Sequence, residues 1–333
     1  MTTPLSRRGL LAGGAATVGG ATAPRTSARA QAVWPNRPVR LIVGYPAGAS
    51  TDLCARVLAE DMRTRIGQPV IVENRPGANG SLGAAAVAAA IPDGHTLLVS
   101  NTSTMTVNHL IYRDIRYHPL RDLLPVASIT VSPFILATGT ANPRTRGLRS
   151  LADLVTLAQR QPGQLSYGSG GIGNLQHLNM EVLAGRLGIR TLHVPYRGAA
   201  PAETALVAGE VDLMLETPTA GPLFRSNLLT AIATTGVERW RDLPEVPTVA
   251  ELGYPDFVAT FWNGLVAPAG TPPVIVERLH QLMLQASEAP ATRPLLLSQG
   301  DVVVLDPTQF RTRIAEEIER NAAVIRNAGI EMQ

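Results

Sequence analysis

The sequence predicts an α/β protein built from two lobes, with a ligand cleft between them. Strand-like apolar runs alternate with segments of helical period, which is the pattern of sheets that carry helices on their faces. The alternation occurs in two successive sets, and glycine-rich loops follow predicted strands in both. Because ligands of open α/β sheets bind at the carboxyl ends of the strands, these loops are the candidate site.

The first set of elements is complete by about residue 130. Its predicted members, in order, are strand 39–45, helix 51–66, strand 69–73, helix 81–90 and strand 96–100. Short apolar runs identify the strands, and apolar residues at helical spacing identify the helices. We expect the strands to be parallel, because strands and helices alternate.

The second set continues the alternation. Its predicted members are strand 134–138, helix 148–159, strand 164–167, helix 174–187, strand 191–194, helix 201–208, strand 211–215 and strand 228–234. The proline-rich stretch 243–247 indicates that the chain crosses back from the second set of elements to the first. A buried strand is predicted at 262–268. Two amphipathic helices, 273–286 and 308–327, end the chain. The last has an apolar side that we expect to pack over the first sheet.

Arginine supplies every basic side chain of the 333-residue protein. All 29 residues counted as Lys or Arg are Arg, which excludes Schiff-base and phosphate-loop lysine chemistry. Four of them lie in the first 32 residues, which carry no acid, so 25 Arg face 26 Asp and Glu elsewhere, a net charge of −1. A near-neutral protein has no electrostatic case for binding nucleic acid or an anionic membrane.

The amino terminus predicts an export signal. Arg7 and Arg8 precede a weakly apolar run over 9–23, and residues 30–32 form a small-x-small cleavage site. This pattern is typical of a twin-arginine signal peptide over residues 1–32, and a disordered basic leader is the alternative. The run of about 15 residues is shorter than the roughly 20 that span a bilayer. We therefore expect a periplasmic protein cleaved near residue 32, without internal disulfides, since Cys54 is its one cysteine.

The glycine loops predict an anion site. Each of the loops 46–52, 74–81 and 168–174 opens a predicted helix, and 101–104 follows the third strand. Free N–H groups at helix amino termini bind carboxylates without a basic side chain. Three or four charge-assisted hydrogen bonds, at about 1.5–3 kcal/mol each, support micromolar affinity after ordering costs. The expected ligand is a small organic anion, desolvated by closure of the two halves.

Enzyme signatures have weaker support. Gly168, Gly170 and Gly173 match the dinucleotide fingerprint G-x-G-x-x-G, but residues 193–197 lack the acid that should bind the ribose. The sequence has no G-x-S-x-G elbow, no H-x-x-x-H pair and no cysteine cluster. We expect no enzyme activity, cofactor or metal. An exported nucleotide-dependent oxidoreductase and a ligand-sensing subunit remain the alternatives.

Sequence motifs through nearly the whole chain after the leader carry a family resemblance. In order they are WPNRP (34–38), YPAG (45–48), VENRPGA (72–78), PDGHTLL (92–98), YGSG (167–170), HVPYRG (193–198), GEVD (209–212), LPEVPT (243–248), WNG (262–264) and APAGTP (267–272). The chain resembles the substrate-binding proteins of tripartite tricarboxylate transporters, the Bordetella uptake gene family. It departs from the family pattern at Ala49, where a second glycine is usual.

The resemblance implies a two-lobed periplasmic binding protein fold of type II, the flytrap type. Residues 33–130 and 245–333 would form lobe 1, and residues 131–244 lobe 2. It also implies a monomer that holds a small carboxylate in the cleft and hands it to the small and large membrane subunits of a secondary transporter. Position by position, the implied ligand-binding residues are Tyr45, Gly48, Ser50, Thr51, Asp52, Ser103, Thr104, Ser169, Asn174, His177 and Tyr196.

Several of these residues also have a purely structural interpretation. Asp52 could sit in the first helical turn because an acid is favourable there. His177 could hold the loop rather than touch the ligand. Ser169 and Asn174 could serve as turn and amino-cap residues, although a cap at the edge of a cleft can also bind a ligand.

Overall fold

The computed structural model describes residues 34–327, so the predicted signal peptide over residues 1–32 lies outside the described residues. The strands are β1 (Val39–Val43), β2 (Val70–Asn74), β3 (Thr96–Asn101), β4 (Leu123–Pro133), β5 (Ile135–Gly139), β6 (Leu165–Ser169), β7 (Thr191–Pro195), β8 (Leu213–Glu216), β9 (Leu229–Thr234), β10 (Thr260–Pro268) and β11 (Asp301–Val302). The helices are α1 (Ser50–Ile66), α2 (Ser81–Ala88), α3 (Asn108–Ile111), α4 (Leu151–Arg160), α5 (Leu175–Leu187), α6 (Ala199–Ala208), α7 (Gly221–Arg225), α8 (Pro273–Glu288), α9 (Arg293–Leu297) and α10 (Pro307–Asn327).

Local sequence explains where several helices begin and end. Helix α1 ends at Gly67, whose left-handed conformation lets its N–H bond the Arg63 carbonyl. Helix α4 begins with a capping box, in which the Ser150 side chain accepts from the Asp153 amide and the Asp153 side chain accepts from the Ser150 amide. These signals lie in the sequence itself, which is why both helices were predictable.

The strands form two sheets. The first has the order β11-β4-β10-β3-β1-β2, and the second has the order β7-β6-β8-β5-β9. In the first sheet, β1 is parallel to β2 and β3, while β10 is antiparallel to β3 and β4. In the second, β6 is parallel to β7 and β8, while β5 is antiparallel to β8 and β9.

Both sheets are therefore mixed: the strands that alternate with helices are parallel as expected, whereas β4, β5 and β10 run antiparallel to neighbouring strands. The cause is that one strand of each sheet arrives directly from the other sheet. Strand β4 runs through Phe134 into β5, which inserts between β8 and β9, and β10 returns to insert between β3 and β4. A strand that enters without a crossover helix has no reason to be parallel to its neighbours.

The two crossings between the sheets lie side by side. The Phe134 amide donates to the Thr235 hydroxyl at 2.8 Å, and the Thr235 amide donates to the Phe134 carbonyl at 2.9 Å. Thr235 also donates its hydroxyl to the Ala259 carbonyl at 2.6 Å. One threonine thus ties the outgoing segment to the returning one.

Sheet membership shows where the chain passes between the two sheets, and the lobe boundaries at 131 and 245 stay a prediction. Strand β4 stays in the first sheet through Pro133. The returning chain joins that sheet at Thr260, because Thr248 first forms a parallel bridge with Thr234 and Phe257 packs in a core of the second sheet.

Strand β4 is the main element that the sequence analysis missed. Its sequence contains Pro125 and ends at Pro133, and proline within an apolar run argues against a strand. In the structure, Pro125 lies where the register of β4 with β10 shifts, between Leu265 and Val266. The irregularity accommodates a residue that cannot donate a hydrogen bond to the ladder.

Helices cover both faces of each sheet. Alternation along β1 sends Leu41 towards α1 and α8 and Ile42 towards α2 and α10. Phe310 and Ile314 of α10 are fully buried against the first sheet, which confirms the packing expected for the last helix. Ile325, near the end of that helix, reaches a core of the second sheet.

Candidate ligand-binding cleft

A cleft of about 230 Å³ lies between the two sheets, at the carboxyl ends of several strands. Its size suits a small organic molecule. The first-sheet wall consists of Tyr45, Pro46, Gly48, Ala49, Ser50, Thr51, Leu53, Asn79, Asn101 and Ser103. The opposite wall consists of Gly170, Asn174, Leu175, Gln176, Gly198, Ala199, Ala200, Glu203, Glu216, Thr217 and Thr219. Phe134 and Phe261, whose ring centroids are 5.1 Å apart, line it at the crossing.

The start of α1 presents unpaired amides to the cleft. Within the described residues, the N–H groups of Ser50, Thr51 and Asp52 have no acceptor, and the first helical bond is from Leu53 to Ala49. Ala49 occupies the N-cap position with φ −67° and ψ 154°, and its side chain cannot cap the helix. These angles are ordinary for any residue, so the position does not require glycine. Helix α1, 17 residues long, directs its positive end into the cleft.

A polar network fixes this helix start on the first sheet. Thr51 donates its hydroxyl to the Asn263 side chain at 2.8 Å and accepts from Asn101 at 3.1 Å. Asn263, on β10, also donates to the hydroxyls of Ser50 and Thr130. Because Asn263 is fully buried, this network is rigid, and it holds the amides of α1 in place.

Asp52 supports the loop from behind rather than lining the cleft. Its carboxylate accepts from the Gly48 amide at 2.9 Å, from Asn74 at 2.8 Å and from Arg56 at 2.9 Å. Burial acts to raise the pKa of Asp52, but these hydrogen bonds and the Arg56 charge outweigh it, and the pKa lies below its ordinary value. The geometry corresponds to the structural interpretation of this residue, since three protein donors bond its carboxylate and it lies outside the cleft lining.

Tyr45 links three loops of the first wall. Its hydroxyl lies 3.0 Å from the Thr104 hydroxyl and donates to Asn101 and to the Asn79 carbonyl at 3.0 and 2.9 Å. Burial raises the pKa of Tyr45 to about 12, so the phenol stays neutral. Tyr45 lines the cleft, whereas Thr104 lies behind it.

The second glycine loop does not present free amides as expected. Protein side chains accept three of its N–H groups: Gly170 donates to Gln176 at 3.0 Å, Gly171 to the Ser169 hydroxyl at 3.2 Å and Gly173 to His177 Nδ1 at 3.0 Å. Among the described residues of this wall, the N–H groups of Ala199 and Ala200 at the start of α6 have no acceptor, and neither does that of Gln176 at the start of α5. The expectation failed because side chains two to six residues away satisfy the loop internally.

His177 and Ser169 hold this loop in place. His177 accepts from the Gly173 amide, its ring stacks on His193 at 4.0 Å, and His193 Nε2 lies 2.6 Å from the Ser169 hydroxyl. Burial lowers the pKa of both histidines, to about 4 for His193, so both are neutral at pH 7. Tyr196 lies near Gly168, away from the cleft lining.

Two contacts join the walls directly. The Leu175 amide at the start of α5 donates to the Ser103 hydroxyl at 3.2 Å, and the Tyr112 hydroxyl donates to the Ile172 carbonyl at 2.7 Å. Asn174 caps α5 by accepting from the His177 amide at 2.9 Å, and its side chain also lines the cleft. The loop at 169–174 therefore belongs to the contact between the lobes.

Of the predicted site residues, Tyr45, Gly48, Ser50, Thr51, Ser103 and Asn174 line the cleft. Asp52, Thr104, Ser169, His177 and Tyr196 lie outside its lining. Two further polar residues of the lining, Asn79 and Asn101, belong to predicted loops but were not among the predicted site residues. The polar lining residues outside the predicted loops are Gln176, Glu203, Glu216, Thr217 and Thr219. The rule that found the other loops, polar residues at the carboxyl end of a strand, would also have found residues 216–219 after β8.

The dinucleotide alternative has little support in the geometry. Three amides of the loop after Gly168 are bonded to protein side chains, so they are not available to a pyrophosphate. At Gly173, a side chain would collide with Ile111, since a Cβ would lie 2.7 Å from its Cδ1. The glycine spacing is thus explained by packing and loop closure.

Residues 34–327 contain no group of three or more His, Cys, Asp or Glu side chains placed to hold a metal ion. Within the same residues, no helix combines the length and apolar character needed to cross a membrane.

Comparisons with known proteins agree with this architecture. Residues 54–330 match the family model described as the tripartite tricarboxylate transporter family receptor. The chain is 38% identical to Protein BugT of Bordetella pertussis over 303 residues, which cover 90% of this chain and 92% of BugT. Two solved structures are similar over 90% of this chain and 100% of their own, each at 31% identity. They are R. palustris Rpa4515 with adipate, at a TM-score of 0.85, and the periplasmic binding protein BugD, at 0.82.

These matches confirm the two-lobed periplasmic binding protein fold implied by the sequence motifs. They also confirm that the protein is a binding protein rather than an enzyme, because the matched family consists of receptors. The chain belongs to the tripartite tricarboxylate transporter receptor family.

Proposed function

We propose that the protein captures a small carboxylate between its two lobes and delivers it to a membrane transporter of the tripartite tricarboxylate type. The observation that carries the proposal is the pairing of two helix starts. Unpaired amides of α1 on one wall and of α6 on the other line the same small cleft. None of the described residues that line it is Arg, Lys or His, so main-chain N–H groups and hydroxyls are the donors offered to an anion.

The binding energy expected from such donors is sufficient for a receptor. Three or four hydrogen bonds to one carboxylate, each contributing about 1.5–3 kcal/mol, support micromolar affinity once ordering costs are subtracted. Closure of the lobes removes water from the carboxylate and strengthens these bonds. The two crossings, at Phe134 and just before Thr260, are the natural hinge, since the main chain passes between the sheets there and Thr235 links the two segments. The relative Rpa4515 was solved with adipate, a dicarboxylate of compatible size.

Export and transporter partnership complete the proposal. The signal over residues 1–32 would direct the chain to the periplasm by the twin-arginine route, and cleavage near residue 32 would release a monomer. The loaded monomer would then dock on the small and large membrane subunits. Mass spectrometry of the periplasmic protein should give a mature chain starting near residue 33. Uptake of the bound carboxylate by cells should require both the receptor and the membrane subunits, whereas a sensor would leave uptake unchanged.

The binding site is tested by substitution at Ala49. An aspartate fits the extended N-cap conformation, accepts from the amides of α1 and places a negative charge where the ligand carboxylate should bind. Ala49→Asn is the matched control, because it caps the helix without the charge. Calorimetry against mono-, di- and tricarboxylates should give at least about tenfold weaker binding for Ala49→Asp than for Ala49→Asn.

The same substitutions separate binding from folding. Both variants should be as stable as the parent or more stable, by about 0.5–2 kcal/mol, because a side-chain cap is gained. Unchanged carboxylate affinity in Ala49→Asp would place the ligand elsewhere. A parent protein that binds no carboxylate of a broad panel would contradict the proposed function itself.

A further inference from the structure

We propose that the ligand is amphoteric, with a carboxylate bound at the start of α1 and a protonated nitrogen bound by Glu216 and Glu203 on the opposite wall. The inference rests on the proposed function, which requires only a carboxylate. It adds the chemistry of the second end of the ligand.

Glu216 is a buried carboxyl group that the Thr217 backbone amide hydrogen-bonds, but one of its two oxygens is left without a donor. It ends β8, lines the cleft and is 2% exposed. Its Oε1 atom is buried and has no hydrogen-bond partner among the described residues. An unsatisfied buried acceptor is costly, and a structure normally supplies a donor for it. The open side of this group is the cleft, so the missing donor is one that a ligand can bring.

Glu203 places a second carboxyl group on the same wall. It lies on α6, lines the cleft, and its charge acts on Glu216. None of the cleft-lining residues is a cation that could neutralise either group. Two carboxyl groups that face one cavity without a counter-ion favour a cationic ligand group.

The opposite wall has the complementary polarity. The free amides of Ser50, Thr51 and Asp52 form the positive end of α1. The negative charge of Asp52 does not cancel this positive end. Its carboxylate lies outside the cleft lining and accepts hydrogen bonds from Arg56, Asn74 and the Gly48 amide. An anion therefore fits the α1 wall and a cation fits the Glu216 wall. A plain dicarboxylate would place its second anionic end against two acids.

Proton linkage follows from the same geometry. Burial raises the pKa of Glu216, and the nearby Glu203 raises it further; burial also raises the pKa of Glu203. Three other cleft-lining side chains near Glu216 carry no charge: Phe134, Gln176 and Thr217. His177 on α5 is hydrogen-bonded to the Gly173 amide, not to Glu216. A ligand ammonium group would displace a proton from the pair, so its affinity should rise with pH. The affinity for a dicarboxylate should fall over the same range.

The test compares ligands of equal chain length in the full mature protein. Calorimetry at pH 5, 7 and 8 would use 4-aminobutyrate against succinate, 5-aminopentanoate against glutarate and 6-aminohexanoate against adipate. The best-fitting amino acid should bind at least about tenfold more tightly than its dicarboxylate at pH 7. Glu216→Gln should remove this preference and its pH dependence, and Glu203→Gln should reduce both.

Two controls test whether a change in affinity comes from the cleft glutamates. Glu210→Gln, an exposed position just after α6, should leave both affinities unchanged. Melting curves of each variant verify that it is folded. Tighter binding of dicarboxylates, unaffected by Glu216→Gln, would overturn the inference and leave the proposed function standing. Absence of binding in both series would overturn both.

Discussion

The imidazole rings of His177 and His193 are stacked almost parallel, 4.0 Å apart with an interplanar angle of 8°. The ring of Tyr167 lies beside this pair, 4.9 Å from His193 and 6.4 Å from His177. Two imidazolium rings could not share this arrangement without repulsion, and burial lowers the pKa of both. The stack therefore requires neutral histidines, and it makes the second-lobe loop sensitive to acid.

We predict that stability falls between pH 6.5 and pH 4. In this range the unfolded chain binds a proton at His193 with a pKa of about 6.5, whereas the folded chain resists protonation down to about 4. The stabilisation is thus present above pH 6.5 and lost as the pH falls. Because the ring is partly exposed, we expect a loss of about 1–3 kcal/mol, measured by urea unfolding as a function of pH. His193→Gln should make the profile shallower and leave the contributions of His109 and His177, whose pKa values burial also lowers, and the exposed His118→Gln should retain most of it. An unchanged slope in His193→Gln would contradict this assignment.

Asp52→Asn should destabilise the loop that carries the α1 amides. The neutral amide loses the ion pair with Arg56 and brings an N–H group against donors from Gly48 and Asn74. We expect a loss of about 2 kcal/mol in the free energy of unfolding, since Arg56 is half exposed and the pair is partly screened. The exposed Asp256→Asn is the control. A loss in Asp52→Asn no larger than in this control would show that the loop does not depend on the carboxylate.

Gly173→Ala should weaken the contact between the lobes. Gly173 has φ 73°, and a Cβ there would lie 2.7 Å from Cδ1 of Ile111. Gly163→Ala is a matched control, because φ is 74° and no atom lies within 4 Å of its Cβ. The control should lose about 1 kcal/mol from backbone strain alone, and Gly173→Ala about 1–3 kcal/mol more. Chemical denaturation measures both. Adding Ile111→Ala should recover part of the excess, and equal losses in the two variants would rule out the steric contact.

Cys54 should be unreactive towards thiol reagents in the native protein. The side chain lies on the buried face of α1 and is fully buried. Burial raises the pKa of the thiol to about 12, so almost no thiolate forms at pH 8. A colorimetric disulfide reagent should label it only in urea, and a bound ligand should slow labelling further. Ser298→Cys in a Cys54→Ala background provides an exposed thiol that reacts promptly. Rapid stoichiometric labelling of the parent in native buffer would contradict the burial of Cys54.

The sequence was informative where local signals suffice. Helix α1 and the strand before it follow from an apolar run, a loop and a helical period, and the first-wall residues Ser50 and Thr51 follow from their place at the helix start. Strand β4 could not be found this way, because its two prolines are tolerated only through its pairing with β10, more than a hundred residues away. The antiparallel direction of β4, β5 and β10 was likewise not predictable, since periodicity carries no information about which sheet a strand enters.

The second wall shows a different limit. The glycine spacing at 168–173 correctly marks a loop that opens a helix, but the sequence does not reveal that Gln176 and His177 consume its amides. Which donors remain free depends on side-chain positions. The two glutamates were missed for a related reason: Glu203 lies within a helix, and only folding brings it to the same cavity as Glu216.

The amides at the starts of α1 and α6 are part of the peptide backbone, so nearly every point mutation leaves them in place. During evolution the surrounding side chains of such a receptor can therefore change, and with them the ligand that is bound, while the amides that bind the carboxylate stay in place. A scaffold of this kind is well suited to gene duplication, because each copy inherits the backbone amides that bind the carboxylate and needs to evolve only its selectivity.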